Sequence, residues 1–300
     1  MSEDLENNTH KAGFVSIVGK PNVGKSTLMN TLVGEKLSIV TSKAQTTRHR
    51  IMGIINDDDY QIIYSDTPGI IKTAYDLHKA MMNFVSYSLE DADIILFVTD
   101  IYETFEEEEI LIKLAKSDAP VFLVLNKTDL STADQIKDKT NYWAEKVNPK
   151  EIIAVSALKK ENTDTLLDLI IKYLPVHPAY YPKDELTDKP ERFFAAEIVR
   201  EKIFLNYKKE IPYSCEVVVE EFKETDEIIK IRAIIYVERD TQKGILIGHR
   251  GEAIKNTGIM ARVEMEKFFL KKVFLETHIK VEPDWRTKPQ LLRRFGYDQE

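Results

Sequence analysis

Short apolar runs recur through the first 155 residues, at 14–18, 60–64, 94–98, 121–125 and 152–155, separated by polar or periodic segments such as 77–89. Four or five consecutive apolar residues are the signature of strands buried on both faces, and a 3.6-residue period between them marks covering helices. This half therefore predicts an α/β domain, a mostly parallel sheet with helices on both faces, where ligands bind beyond the carboxyl ends of the strands. Past residue 190 the order becomes a helix over about 192–207, strands over 216–222 and 228–237, two helices around Gly248 and a strand over 273–281, an α+β pattern. Between the two halves, Pro175, Pro178, Pro182 and Pro190 fall in a short polar stretch that reads as a linker. The expected boundaries are a flexible N-terminus over 1–11, a first domain over 12–174, a linker over 175–191 and a second domain with its tail over 192–300. The tail from 285 is too irregular to assign, and the acidic run 106–109 reads as a solvated helix face or N-terminal turn.

Composition fits two compact domains, since 300 residues at 43% hydrophobic exceed what one core usually holds. No stretch reaches the roughly 20 apolar residues of a spanning helix, and the first ten residues lack the apolar centre of a signal peptide, so a soluble cytoplasmic protein is expected. Cys215 is the sole cysteine and sits beside Val217, Val218 and Val219, which predicts a buried structural thiol without a redox role. The net charge of −8 argues against nonspecific nucleic-acid binding by the whole chain, but the charge is uneven. Residues 1–190 carry 21 Lys and Arg against 30 Asp and Glu, whereas 228–300 carry 15 against 10. Only this last segment is suited to facing phosphates.

Chemistry enters directly after the apolar runs. Residues 19–26, Gly-Lys-Pro-Asn-Val-Gly-Lys-Ser, follow the first run and precede a helical pattern over 26–33, which is the order a phosphate-binding loop requires. Its glycines let backbone N–H groups cradle phosphate oxygens, the helix start adds positive potential, Lys25 reaches the β and γ phosphates, and the Ser26 hydroxyl suits Mg²⁺. Gly19, Asn22, Val23, Gly24, Lys25, Ser26 and Thr27 are the expected phosphate contacts. After the run ending at Tyr64 comes Asp66-Thr67-Pro68-Gly69, where Asp66 can hold the metal through water and Gly69 lets a backbone N–H approach the γ-phosphate. Between them, Thr46 and Thr47 in Gln45-Thr46-Thr47-Arg48-His49-Arg50 offer hydroxyls to the same metal. The loop's path is not fixed by sequence; Thr47 is the choice, and a solvated basic loop is the alternative for the arginines.

The base is set by Asn126-Lys127-Thr128-Asp129, which follows the run 121–125. A carboxylate only accepts hydrogen bonds, and guanine offers Asp129 two donors on one edge where adenine presents an acceptor. Ser156 and Ala157 end the next run, where a small side chain lets a backbone N–H reach the guanine carbonyl. GTP, GDP and Mg²⁺ are thus the expected ligands, and Lys25, Thr47, Asp66 and Gly69 the expected catalytic set. Ile70 stands where some GTPases carry a water-orienting glutamine, so intrinsic hydrolysis should be slow and the protein switch-like.

In the second half, Gly248-His249-Arg250-Gly251 forms a Gly-x-x-Gly turn between apolar helical stretches, with Ile247 and Ile254 flanking it and Lys255 one turn beyond. With the α+β order around it, this turn looks like the RNA loop of a KH domain, whose glycines admit the nucleic-acid backbone and whose apolar groove takes about four unstacked bases. A helical hairpin turn is the bland alternative.

Taken together, the Gly-x-Pro-Asn-Val-Gly-Lys-Ser, Gln-Thr-Thr-Arg-His-Arg, Asp-Thr-Pro-Gly and Asn-Lys-Thr-Asp segments and the terminal KH-like turn resemble the Era family of GTPases over residues 12–297. The resemblance implies a P-loop GTPase domain followed by a type II KH domain, switch segments at 45–49 and 66–69, and guanine contacts from Asn126, Lys127 and Asp129. It implies RNA contacts from Ile247, Gly248, His249, Arg250, Gly251, Ile254 and Lys255. It further implies binding to the 3′ end of 16S ribosomal RNA, a role in small (30S) subunit assembly, a peripheral inner-membrane contact and a monomer. The family varies at the position of His249, which leaves base preference open there. The rival reading is a GTPase regulator whose C-terminal module binds a protein or an RNA other than ribosomal, and a third is a membrane-surface GTPase, through Arg286, Lys288, Arg293 and Arg294.

Overall fold

The computed structural model describes residues 10–103 and 108–297, without the side chains of Glu108 and Glu109. Residues 1–9 of the expected flexible N-terminus (1–11) and residues 106–107 of the acidic run lie outside the described residues, whereas Lys11 already belongs to the first strand and Glu108 starts a helix. Two compact units emerge. One takes the chain up to Ser38, then Thr47–Lys72 and Met81–Asp188; the other takes Ile39–Thr46, Thr73–Ala80 and Lys189–Glu300.

The first unit is built on six strands: β1 (Lys11–Val18), β2 (Ile51–Asn56), β3 (Tyr60–Asp66), β4 (Ile94–Thr99), β5 (Val121–Leu125) and β6 (Glu151–Ala154), in the order β2-β3-β1-β4-β5-β6. All neighbours are parallel except β2 and β3. Every residue of β4 and β5 is buried, which explains why those strands read as unbroken apolar runs. Helices α1 (Lys25–Val33), α2 (Asp76–Glu90), α3 (Glu108–Ala115), α4 (Ala133–Val147) and α5 (Thr163–Tyr173) alternate with the strands. One core gathers Val18, Val85, Phe97, Leu114, Leu123 and Trp143, with Trp143 edge-on to Phe97. Helix α4 is started by a reciprocal capping box, Thr132 accepting from Gln135 N–H and Gln135 from the Thr132 N–H.

Two features depart from the pattern read along the chain. Strand β2 is an antiparallel edge strand whose apolar residues are split by Gly53, where a Cβ would come 2.8 Å from Val33 Cγ2 of α1, so a residue poor in strand propensity stands against that helix. The proline-bearing stretch is not a free tether over 175–188. Ile54 N–H donates to Leu186 O at 2.8 Å, Met52 N–H to Asp188 Oδ1 at 3.1 Å, and Gln61 bridges Tyr180 N–H and Tyr181 O, so the stretch straps the sheet edge at β2. A covered edge cannot template further strand pairing.

The second unit runs α6 (Glu191–Asn206), α7 (Ile211–Ser214), β7 (Glu216–Glu224), β8 (Ile228–Val237), α8 (Asp240–Ile247), α9 (Glu252–Phe268), β9 (Lys272–Val281) and α10 (Pro289–Arg294). Its sheet has the order β7-β8-β9, with β7 antiparallel and β9 parallel to the central β8. Helices α6 and α9 cover it around Val199, Ile203, Ile231, Ile235, Ala261 and Met265. Cys215 is a fully buried free thiol in this core. The tail is ordered by its aromatics: the buried Trp285 donates Nε1–H to Ser214 O at 3.0 Å and packs edge-on to Phe295, and Tyr297 OH donates to Glu216 at 2.5 Å.

Candidate functional site

Strand β1 sits between β3 and β4, at the switch point of the sheet, and its carboxyl end runs into the loop that starts α1. Asn22 (φ 66°) and Gly24 (φ 96°) turn that loop in the left-handed region. At Gly24 a Cβ would come 2.3 Å from Asn126 Nδ2, so glycine is required by both its dihedral and its neighbour. Val23 is buried, and its carbonyl accepts from Asn126 Nδ2 at 2.9 Å, while Asn126 Oδ1 accepts from Ala157 N–H at 3.0 Å. One side-chain amide thereby locks three loops together, those after β1, β5 and β6.

Lys25 Nζ lies buried, donating to Gly19 O at 3.0 Å and Lys20 O at 2.8 Å. Burial lowers its pKa to about 8, against the opposing pull of Asp66 and Glu103. Ser26 Oγ donates to Asp66 Oδ2 at 2.7 Å and stands 2.8 Å from Thr47 Oγ1, which in turn reaches Asp66 Oδ2 at 3.4 Å. Asp66 is fully buried and its pKa is raised by that burial, while Oδ1 has no hydrogen-bond partner. Two hydroxyls converging on a buried carboxylate with an unsatisfied oxygen form an all-oxygen set of the kind a hard divalent cation takes, so these residues fit Mg²⁺. Thr46 points elsewhere: its hydroxyl donates to Lys43 O and pairs with Thr41. Thr27, beside Ser26 in the first turn of α1, is half-buried. Gly69 lies against Pro21, and Ile70, buried in the core, donates its N–H to Gly19 O at 3.1 Å.

The alternative of a solvated basic loop does not hold for the arginines. Arg48 and Arg50 are buried, and Arg50 donates to Ser65 Oγ at 2.7 Å and Asp91 at 2.8 Å.

At the base end, Asp129 is exposed, with Oδ1 accepting from Ser156 Oγ at 2.6 Å, which orients the carboxylate. Lys127 adopts φ 63° and pairs with the buried Asp100 at 2.7 Å. Asp100 was not singled out from the sequence; its signal is an acidic residue directly after the apolar run of β4.

In the second unit, Gly248 ends α8 with φ 71° and ψ −174°, a conformation open essentially to glycine, and a Cβ there would come 2.5 Å from that of Ala253. Arg250 (φ 50°) and Gly251 (φ 80°) complete the turn into α9. His249, Arg250 and Lys255 are exposed, Ile247 is half-buried, and Ile254 packs against the core. The tail cations are engaged with the protein: Arg286 with Glu238, Lys288 with Glu282 at 3.0 Å, and Arg294 over the Tyr236 ring. No helix among the described residues is long and apolar enough to cross a membrane, and none of their acidic, His and Cys side chains cluster as a metal site.

Known proteins share this arrangement. Residues 14–127 match the model of the 50S ribosome-binding GTPase family and residues 210–286 that of the KH domain. GTPase Era of Syntrophus aciditrophicus is 46% identical over 96% of each chain, and that of Staphylococcus haemolyticus 44% identical over 96% of this chain and 97% of its own. A crystal structure of Era in complex with MgGDPNP and nucleotides 1506–1542 of 16S ribosomal RNA superposes with a TM-score of 0.92 at 42% identity, covering 97% of this chain and all of that one. A variant of Aquifex aeolicus Era bound to GDP and aluminium fluoride gives the same TM-score at 41% identity, over 96% of this chain. With a P-loop nucleotide unit, a KH unit and this identity over nearly its whole length, the chain belongs to the Era family of GTPases.

Proposed function

We propose that this GTPase uses its exposed Gly-x-x-Gly turn to bind the 3′ end of 16S ribosomal RNA, as a monomer acting in assembly of the 30S subunit, and that nucleotide state governs the surface it offers. The observation that carries the RNA reading is the turn itself. Arg250 and Lys255 are exposed within a few residues of a backbone with no Cβ at residue 248, and Ile254 packs against the core. Cations facing outward over an apolar floor suit a single strand with splayed bases.

In the nucleotide site, the geometry supports the following roles. Gly19, Asn22, Val23 and Gly24 present backbone N–H groups to the phosphates at the start of α1, and Lys25 supplies a cation whose burial strengthens its attraction to phosphate oxygens. Ser26, Thr47 and Asp66 would hold Mg²⁺, which when bound neutralises charge on the β and γ phosphate oxygens. Asp129, oriented by Ser156, accepts from the two guanine donors, and Asn126 keeps the base loop and phosphate loop in one register. Ile70 brings no polar group to the attacking water, so hydrolysis without a partner is slow.

Fluorescence anisotropy with an oligonucleotide copying the 16S 3′ end tests the RNA reading. Binding should be salt-sensitive, weaker for a scrambled sequence and lost on Arg250→Asp. Equal affinity for both sequences would point to an RNA other than ribosomal, and absence of salt-sensitive binding would move the second unit to the protein-binding alternative.

A further inference from the structure

The base loop carries a lysine in a backbone conformation that side-chain-bearing residues rarely adopt. Lys127 has φ 63°, a left-handed dihedral that persists in a residue other than glycine only where its surroundings fix it. Its carbonyl accepts from Leu130 N–H at 3.0 Å and from Ser131 Oγ at 3.2 Å, so the backbone is anchored and the side chain alone retains a choice of direction. Asp100 sets that direction. Thr99 and Leu125 are register partners in the parallel pair β4 and β5, and Asn126 N–H donates to Thr99 O at 2.8 Å, so Asp100 and Lys127 leave the sheet within reach of each other. Asp100 is 5% exposed; its Oδ2 accepts from Lys127 Nζ at 2.7 Å and its Oδ1 from Tyr102 N–H at 2.9 Å, so both oxygens are engaged. The same turn reaches the phosphate loop: Glu103, three residues on, pairs with Lys20 at 3.2 Å. One short turn after β4 therefore grips a lysine of the base loop and a lysine of the phosphate loop, all within the first unit. A partly buried ion pair adds little net stability, so its value lies in the direction it imposes.

We infer that Asp100 is a positioning residue for the guanine nucleotide, drawing the Lys127 ammonium to the end of β4 so that the lysine's methylene stem lies along the nucleoside while Asp129 meets the base edge. A four-carbon stem tied at its charged end presents an apolar wall with few rotamers left to lose. An untied lysine samples many, and ordering it at each binding event weakens affinity. The inference rests on the reading that residues 126–129 hold guanine; it adds the group that preorganises Lys127.

The test is release of a fluorescent GDP from the full chain with Mg²⁺, followed by stopped flow. Asp100→Ala should speed release about 10- to 100-fold, and GDP and a non-hydrolysable GTP analogue should lose affinity to the same extent, because the base end is common to both. In single-turnover hydrolysis the loss should fall on the GTP concentration needed for half-maximal rate and hardly on the maximal rate, since Asp100 meets neither the phosphates nor their metal. In a Lys127→Ala background, Asp100→Ala should add nothing, because a residue acting through Lys127 has nothing left to position. The Lys127 side chain is 30% exposed, so truncating Asp100 lets the ammonium turn to water rather than stranding it. Asp100→Asn matches the carboxylate in shape and retains one acceptor, so it keeps the fold by circular dichroism and should speed release only severalfold. Release as slow as wild type in either variant, an undiminished effect in the Lys127→Ala background, a loss confined to the analogue, or a maximal rate that falls as far as the affinity would overturn the inference with the guanine reading intact. GTP and ATP competing equally for the wild-type chain would overturn the guanine reading, and this inference with it.

Discussion

The nucleotide site and the Gly-x-x-Gly turn are both glycine-shaped loops that deliver a helix N-terminus, yet they are built in opposite ways. In the first, Lys25, Thr47, Asp66 and Asn126 are buried, and nearly every polar atom is held by another element of the site. In the second, His249, Arg250 and Lys255 are exposed, Ile247 is half-buried, and Ile254 packs against the core. A site that must exclude water around a reacting phosphate is interlocked, and a change at one residue propagates. A site that reads a flexible strand remains open, and its residues contribute nearly independently.

The largest effect expected from this contrast is at the base. Asp129→Asn should weaken GTP by about 10⁴ while improving xanthosine triphosphate, because the amide opposes guanine's donors with donors of its own. Nucleotide competition measures it, and unchanged GTP affinity would detach Asp129 from the base. Next, Ser26→Ala should lower single-turnover GTP hydrolysis about 10²- to 10³-fold, because it removes one of the two hydroxyls meeting at Asp66. The Ser26→Ala, Thr47→Ala pair should lose less than the product of the two single losses if the site is interlocked as its hydrogen bonds show.

Protonation sharpens the same contrast. Lys25 has a folded-state pKa near 8, below its ordinary 10.5, so above pH 8 the unfolded chain holds more protons than the folded one. Stability of the nucleotide-free protein should therefore rise between pH 8 and about 10.5 relative to Lys25→Met, by up to about 3 kcal/mol across the full range. Below pH 8 both states carry the proton and the difference is constant. Urea titrations of the two chains at pH 8 and pH 10 measure it, and a gap independent of pH would remove the strained lysine from the account. The effect confined to one function is at the open site. Arg250→Asp should abolish RNA binding and leave GTP hydrolysis and stability unchanged.

The contrast also explains what could be read along the chain. The phosphate loop, Asp66 to Gly69 and Asn126 to Asp129 are contiguous segments whose chemistry depends on residue type and position after a strand, so they are visible without coordinates. The Gly-x-x-Gly turn is legible for the same reason. Long-range features are not. Strand β2 is masked by Gly53, whose lack of a side chain suits α1 and weakens the strand signal. The proline-rich stretch looks like a tether because its partners, Met52, Ile54 and Gln61, lie more than a hundred residues away. The ordered tail depends on Trp285 and Phe295, whose spacing fits no period because it crosses a turn and a helix of six residues. Arg48 and Arg50 look like a solvated basic pair until Ser65 and Asp91 are seen beside Arg50.

The most direct test of the account is competition of unlabelled GTP and ATP against a fluorescent GDP on the full chain with Mg²⁺. The geometry around Asp129 and the phosphate loop predicts displacement by GTP at concentrations at least about a thousandfold below those needed for ATP. Displacement by both nucleotides at equal concentrations would contradict it.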